Sequence, residues 1–255
     1  MRKFNPTPLI FLCCLFLASN ALAAAAVEVV KNEGQLSIRA ERSGNGPSTP
    51  SSGILSGKNI LVASGNGRAV VRIANVGYIV LEKNSSVEIG NSQNHASFFR
   101  HLTGVIYYAI NTIKNQSRLV EVRTKSASLG IRGTRFLVFD MNEKIGIGMR
   151  KGTVKVLSEM KKFEIHRTIE LNEFKAFREE GIKSLNREKK AFNDYKNSTQ
   201  DEFVEYRQEF FLKANRMVSI DREQRVDELP LGGEIQTKME SLEHYSEYYL
   251  NQVLD

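Results

Sequence analysis

The chain has 255 residues, of which 41% are apolar and 25% are charged, and its formal net charge is +7. This composition supports a folded core and excludes wholesale disorder. Both cysteines, Cys13 and Cys14, lie in one short apolar run near the N-terminus. The rest of the chain therefore has no residue for thiol catalysis or for a zinc site with thiolate ligands.

The first residues have the pattern of a secretory signal peptide. Arg2 and Lys3 precede an apolar run at residues 9–18, and Ala21-Leu22-Ala23 follows it. A positive start, a short apolar stretch and an A-x-A end predict cleavage after Ala23, so that residues 1–23 are a signal peptide and the mature protein is periplasmic or secreted. The run is short for a membrane span of about 20 residues, but its retention as an uncleaved anchor stays open.

Charge is distributed unevenly along the chain. Residues 24–182 hold 23 Lys and Arg against 14 Asp and Glu, whereas residues 183–255 hold 11 against 15. A basic body with an acidic tail predicts contact with an envelope protein or an anionic envelope polymer, or self-association through residues 183–255. Two ordinary solvated surfaces would show the same distribution. Nucleic acid is not an expected partner, because export removes it and no binding motif is present.

The first two thirds of the chain read as short β-strands. Residues 27–30 and 36–39 predict a strand pair turned at residues 32–34, and the Gly-, Pro- and Ser-rich residues 43–53 predict a loop. Ten runs rich in β-branched and aromatic residues follow, at 60–62, 69–73, 78–81, 87–89, 105–110, 119–122, 129–131, 136–139, 145–147 and 154–157. The run at 135–139 is apolar on both faces, which predicts a central strand, and residues 163–169 predict one more strand. Their spacing fits either a β-sandwich or a β-solenoid.

The pattern then changes to helical spacing. Residues 170–181 are ambiguous between a helix start and an edge strand. From 184 to 229 a stripe of apolar residues recurs every three or four positions, namely Phe192, Phe203, Tyr206, Phe210, Met217 and Ile220. This stripe predicts a long amphipathic helix with weak coiled-coil character, ended by Pro230. A second helix at 234–254 completes a predicted hairpin. We therefore expect a mainly β domain at 24–182 followed by a long C-terminal α-helical extension at 183–255.

Several of these runs together resemble a known domain. They are Gly104-Val105-Ile106-Tyr107, Val122-Arg123-Thr124, Ala127, the run from Gly130 to Phe136 that contains Arg132-Gly133-Thr134, and Gly152-Thr153-Val154-Lys155-Val156. The set resembles the FecR domain over about residues 54–160. The resemblance implies an all-β, solenoid-like module on the far side of the bacterial inner membrane. Well-known members of that family transmit signals from an outer-membrane transporter to a sigma factor.

The resemblance and the export signal together predict an exported, non-enzymatic binding protein that acts in envelope signalling or surface assembly. A membrane-anchored transducer of the FecR anti-sigma regulator type is the alternative, and an enzyme acting on polysaccharide is a third reading. About eight residues precede the apolar run. We therefore expect no sigma-factor-binding segment there.

The resemblance also marks a set of family-signature residues, which are Gly130, Arg132, Gly133, Thr134, Phe136 and Gly152. We expect these to be structural. Gly133 would supply a backbone conformation that other residues resist, Arg132 would brace the turn, and Thr134 would bond to the local backbone.

No catalytic residue, cofactor site or metal site is predicted. The four histidines, at positions 95, 101, 166 and 244, do not have the spacing of a ligand set. No nucleophile elbow, phosphate loop or zinc motif is present.

Overall fold

The protein is described from a computed structural model, which describes residues 27–40, 54–55, 59–90, 95–112, 119–141, 143–168 and 202–252. These residues form two β-sheets, called sheet A and sheet B, and a C-terminal helix. The two sheets face each other and share one apolar core. The architecture is therefore mainly β, and of the two alternatives, sandwich and solenoid, the described residues have the sandwich arrangement.

Sheet A has eleven described strands. In spatial order they are β16 (Glu202–Arg207), β15 (Phe163–Thr168), β19 (Arg225–Pro230), β18 (Arg216–Ile220), β13 (Lys144–Lys151), β12 (Arg135–Met141), β9 (Val105–Ile110), β6 (Gly77–Leu81), β5 (Arg68–Ile73), β1 (Val27–Glu33) and β3 (Ile54–Leu55). Neighbouring strands are antiparallel, except that β15 and β19 are parallel.

Sheet B has eight described strands. In spatial order they are β17 (Glu209–Lys213), β14 (Thr153–Leu157), β11 (Ser128–Ile131), β10 (Leu119–Arg123), β8 (His95–Thr103), β7 (Ser85–Gly90), β4 (Asn59–Ala63) and β2 (Leu36–Ala40). The pair β8 and β10 is parallel, and the other pairs are antiparallel.

Alternation along each strand places apolar side chains in the core between the sheets. In β10, Val120 and Val122 are fully buried, while Arg123 is exposed. β12 is the central strand that the sequence predicts, because it pairs with β9 on one side and β13 on the other. Its Phe136 and Val138 enter the core between the sheets, and its Leu137 and Phe139 belong to a second apolar cluster on the outer face of sheet A.

The predicted strands between residues 60 and 157 are confirmed, and the strand predicted at 163–169 is present as β15 up to Thr168. The first two predicted strands are also present as β1 and β2, but they do not pair. β1 pairs with β3 and β5 in sheet A, whereas β2 pairs with β4 in sheet B. The turn between them carries Gly34 at φ 67°, and it moves the chain from one sheet to the other. The loop predicted at residues 43–53 and the ambiguous segment at 170–181 lie outside the described residues.

The long helix predicted at 184–229 is wrong where the structure describes it. Residues 202–230 form the strands β16 to β19, and residues 184–201 lie outside the described part. The three- and four-residue spacing came from strands of different sheets, since Phe210 enters the core from sheet B and Val218 and Ile220 enter it from sheet A. The period-two alternation of β17, where Phe210 and Leu212 are buried and their neighbours are exposed, was the better signal.

The second predicted helix is confirmed as α1 (Gly233–Gln252). Because the described segment before it, residues 202–230, is β-sheet, the described residues form no helical hairpin, and α1 lies on sheet A. Among the described residues, none of the helices has the length and apolarity needed to cross a membrane. The division of the chain at residue 182 stays a prediction.

Candidate functional site

The signature turn Arg132-Gly133-Thr134 is a crossing between the two sheets. It connects β11 in sheet B to β12 in sheet A. Gly133 has φ 68°, and a Cβ there would lie 2.5 Å from Thr112 Oγ1. The Ile110 amide donates a hydrogen bond to the Thr134 carbonyl at 2.9 Å. The turn therefore needs glycine both for its backbone conformation and for the close approach of Thr112.

Two expected roles at this turn differ from the structure. Arg132 is exposed, and no hydrogen bond or ion pair joins it to another described residue. The bracing contact comes from Arg135 instead, whose Nη1 donates to the Ile110 carbonyl at 3.2 Å. The Thr134 hydroxyl is buried without a partner among the described residues, and the Thr134 methyl group lies against the next crossing.

That next crossing carries Gly152 and connects β13 to β14. Gly152 has φ 85°, and a Cβ there would lie 2.7 Å from the Gly133 carbonyl oxygen and 2.8 Å from Thr134 Cγ2. The two crossings therefore pack backbone against backbone. The other signature residues lie on the flanking strands. Phe136 is fully buried and stacks on Tyr108, with ring centroids 4.9 Å apart. Gly130 of β11 pairs with Lys155 of the neighbouring strand β14.

Helix α1 covers part of the outer face of sheet A. Its Met239 and Leu242 are buried, and they join a cluster with Tyr107, Leu137 and other residues of the outer face. A cavity of about 620 Å³ lies between the first half of α1 and sheet A. Its lining residues are Val105, Leu137, Phe139, Gly233, Glu234, Ile235, Thr237, Lys238 and Ser241. The docked helix is therefore well packed at its centre and less closely packed near its start.

Ion pairs add to this contact. Glu82, whose side chain is 7% exposed, lies 2.6 Å from Arg68 Nη2 through one carboxylate oxygen and 2.6 Å from Lys238 Nζ through the other. Since Lys238 belongs to α1, this buried carboxylate connects the helix to the end of β6. The sequence does not reveal this group of charges, because its one local sign is an acidic residue directly after the buried strand β6.

A second carboxylate connects α1 to the signature turn. Glu243 lies 3.4 Å from Arg135 Nε and 3.3 Å from Arg150 Nε. Arg135 follows Thr134 directly, and Arg150 comes two residues before Gly152. The helix, the two crossings and the outer face of sheet A are therefore one connected unit.

A titratable group lies at the opposite end of the sandwich. The Asp140 carboxylate accepts a hydrogen bond from the Gly104 amide at 2.8 Å and lies 3.2 Å from Lys125 Nζ. Burial alone would raise the pKa of Asp140, but its hydrogen bonds from Gly104, Thr103 and Lys125 hold that pKa below its usual value. Burial lowers the pKa of His101 to about 4, although the nearby Asp140 charge opposes that shift. His101 is therefore neutral at physiological pH.

The titratable side chains of the described residues are spread over both sheets and the helix. In the described ranges no group of three or more His, Cys, Asp or Glu is placed to hold a metal ion. His166 hydrogen-bonds with Glu164 at 2.9 Å on the outer face of sheet A, and His244 is exposed on α1, so these two histidines lie on different elements. The buried carboxylate of Glu82 and the partly buried carboxylate of Glu243 each lie between two cations.

The two facing sheets and their glycine crossings make the described residues an all-β module. Residues 60–155, which run from β4 into β14, match the family model described as FecR protein. The chain therefore contains a FecR domain, and the resemblance is confirmed over that range.

Comparison with solved structures gives two crystal structures of one protein from Parabacteroides distasonis ATCC 8503, described as a "putative anti-sigma factor". They align with TM-scores of 0.41 and 0.42 at 13% sequence identity, and the alignment covers 69% of this chain. It covers 61% of the solved chain, so this chain spans about three fifths of its length. No curated protein matches the chain.

Proposed function

We propose that the protein is a non-enzymatic regulator of the FecR type that acts by binding an envelope protein. The observation that supports this proposal is the FecR match at residues 60–155, which covers strands from both sheets. The resemblance implies a signalling role for the domain. The regulatory signal would travel through contacts between this domain and its partner.

Deletion of the gene followed by transcript profiling tests the regulator role. We expect a restricted set of transcripts to change and to return when the full chain is supplied again. A chain carrying Gly232→Ala should restore the profile fully, because nothing lies within 4 Å of the added Cβ. A chain without residues 60–155 should not restore it. An unchanged profile in the deletion strain would contradict the regulator role.

The proposal includes export, with removal of residues 1–23. The pattern of Arg2, Lys3, the apolar run and Ala23 supports a cleaved signal. The competing arrangement is a transducer that keeps the apolar run as an anchor. Intact-mass measurement of protein purified from the envelope separates the two, because cleavage predicts a chain that begins at Ala24, whereas an intact N-terminus in the membrane fraction would contradict cleavage.

Self-association through residues 183–255 is also part of the proposal. Its support is β16, which lies at one edge of the described part of sheet A and whose Val204 and Tyr206 are 39% and 64% exposed. Exposed edge strands with apolar side chains pair readily with another chain. Sedimentation velocity over a concentration series should show a dimer that Tyr206→Lys removes. A monomer at all concentrations would contradict this part.

A further inference from the structure

One end of the sandwich carries a row of exposed cations, which we call the cationic rim. The rim consists of Arg132, directly after β11, Lys151, the last residue of β13, and Lys213, the last residue of β17. Strand register places them together, because Ile131 pairs with Val154 and Thr153 pairs with Lys213. All three rim residues therefore lie where the chain turns at the same end of the two sheets.

The charges of the rim are not neutralised within the described part of the protein. Arg132, Lys151 and Lys213 are exposed, and no ion pair or hydrogen bond joins their side chains to another described residue. Their neighbours Arg135 and Arg150 differ, since both are paired with Glu243 on α1. The rim is therefore free to bind an anionic partner.

Close packing fixes the backbone under two of the rim residues. Gly133 and Gly152 support the turns of Arg132 and Lys151, and the two turns are in backbone contact. Backbone that is already ordered loses less conformational entropy on binding than a mobile loop does. Binding at the rim would therefore order mainly the exposed side chains of the cations.

The rim cations lie close together in the strand register. Arg132 follows Ile131, the partner of Val154, and Lys151 lies two residues before Thr153, the partner of Lys213. Because adjacent strands of a sheet lie about 4.8 Å apart, β17, β14 and β11 together span about 10 Å, with Lys213 at one side and Arg132 at the other. Several cations within this distance fit a polymer that carries an anionic group on successive units.

An exposed aromatic ring continues the row onto the open face of sheet B. Phe211 is 57% exposed and lies two residues before Lys213 on the same face of β17, beside Lys155. The apolar C–H faces of sugar rings pack against exposed aromatic rings, whereas an acidic peptide offers no such ring at each charge. A row of cations that ends at an exposed aromatic ring therefore favours a carbohydrate.

We propose that the cationic rim and Phe211 form a binding site for a linear anionic polysaccharide. Anionic groups would contact Arg132, Lys151 and Lys213, and one sugar ring would pack on Phe211. Arginine and lysine together suit carboxylate, sulfate or phosphate groups on the polymer. This site goes beyond the regulator role and does not depend on it, because polymer binding is measured on the purified protein alone.

Isothermal titration with dextran sulfate tests the site, and uncharged dextran is the matched polymer. We expect binding of dextran sulfate and none of dextran. The rim variant carries Arg132→Gln, Lys151→Gln and Lys213→Gln together. It should raise the dissociation constant about tenfold and reduce the number of counterions released on binding by up to about three.

A second triple variant provides the matched control. Lys83→Gln, Lys161→Gln and Lys162→Gln remove the same charge from exposed turns at the opposite end of the sandwich. Binding by this control should change less than about twofold. Equal weakening by the control and the rim variant would overturn the site, since it would show attraction by net charge alone.

Phe211→Ala and two further polyanions identify the kind of polymer. We expect Phe211→Ala to weaken dextran sulfate binding about threefold or more and to leave the weaker binding of poly-L-glutamate unchanged. If poly-L-glutamate or oligothymidylate binds the rim as tightly as dextran sulfate, the polysaccharide assignment is wrong.

Discussion

Substitution of Gly133 by alanine tests whether the signature turn is structural. Gly133 has φ 68°, and its new Cβ would lie 2.5 Å from Thr112 Oγ1 and 3.4 Å from Thr112 Cα. Two costs therefore combine, the left-handed conformation of a residue with a side chain and the displacement of the Thr112 hydroxyl.

The magnitude follows from these two costs. The left-handed conformation costs about 1–2 kcal/mol. The displacement of Thr112 adds about 1 kcal/mol, because this side chain is exposed and can rotate away. Gly133→Ala should therefore lower the free energy of unfolding by about 2–3 kcal/mol. At about 2–4 °C per kcal/mol for a chain of this size, Tm should fall by roughly 5–10 °C.

Thermal and urea unfolding of three variants separate the two costs. The double variant Thr112→Ala, Gly133→Ala should recover about 1 kcal/mol relative to Gly133→Ala, because the colliding hydroxyl is gone. Gly232→Ala is the control and should change stability by less than about 0.5 kcal/mol, since nothing lies within 4 Å of its Cβ. If Gly133→Ala unfolds at the wild-type temperature, the structural reading of the turn is refuted.

Two further predictions concern buried charge. His101 has a pKa of about 4 in the folded protein and 6.5 when unfolded. Between these pH values the unfolded state binds more protons than the folded state. The free energy of unfolding should therefore fall by about 1.4 kcal/mol per pH unit as pH decreases from 6.5 to 4. Urea unfolding at several pH values measures this slope, and His101→Gln should remove it; an unchanged slope would assign the pH dependence elsewhere. Glu82→Gln should cost about 2 kcal/mol, because it leaves Arg68 and Lys238 facing a neutral amide. Chemical unfolding compares this variant with Glu240→Gln as a control. The Glu240 side chain is 48% exposed, so its substitution should lower the free energy of unfolding by less than about 0.5 kcal/mol. Equal effects of the two substitutions would contradict a structural role for Glu82.

The strands between residues 60 and 168 could be predicted because each carries its own signal. Val120 and Val122 alternate with polar residues, and Phe136 to Phe139 are apolar on both faces, so burial on one or both sides is visible locally. The glycine positions of the signature were also visible, because Gly133 and Gly152 meet a backbone requirement that is local to each turn.

The strands β16 to β19 could not be told from a helix by spacing alone. Phe203, Phe210 and Met217 recur at intervals of seven, which a helix and a set of short strands joined by turns can both produce. The turn residues Asn215 and Gln224, at φ 62° and 65°, mark the breaks between these strands. Neither residue type requires that conformation, so the sequence carried only a weak sign of them.

The tertiary structure decided which strands pair with each other and which charged side chains come together. The local sequence predicted β1 and β2 but not their separation into two sheets, since pairing depends on which edges are free when the core forms. The same holds for Glu82 with Lys238, which are 156 residues apart, and for the row of Arg132, Lys151 and Lys213. The sequence by itself determined the composition of each strand, the export pattern and the FecR signature. Only the packing of the sheets decided which turns meet at one end of the sandwich, because a contact between distant segments has no periodicity along the chain.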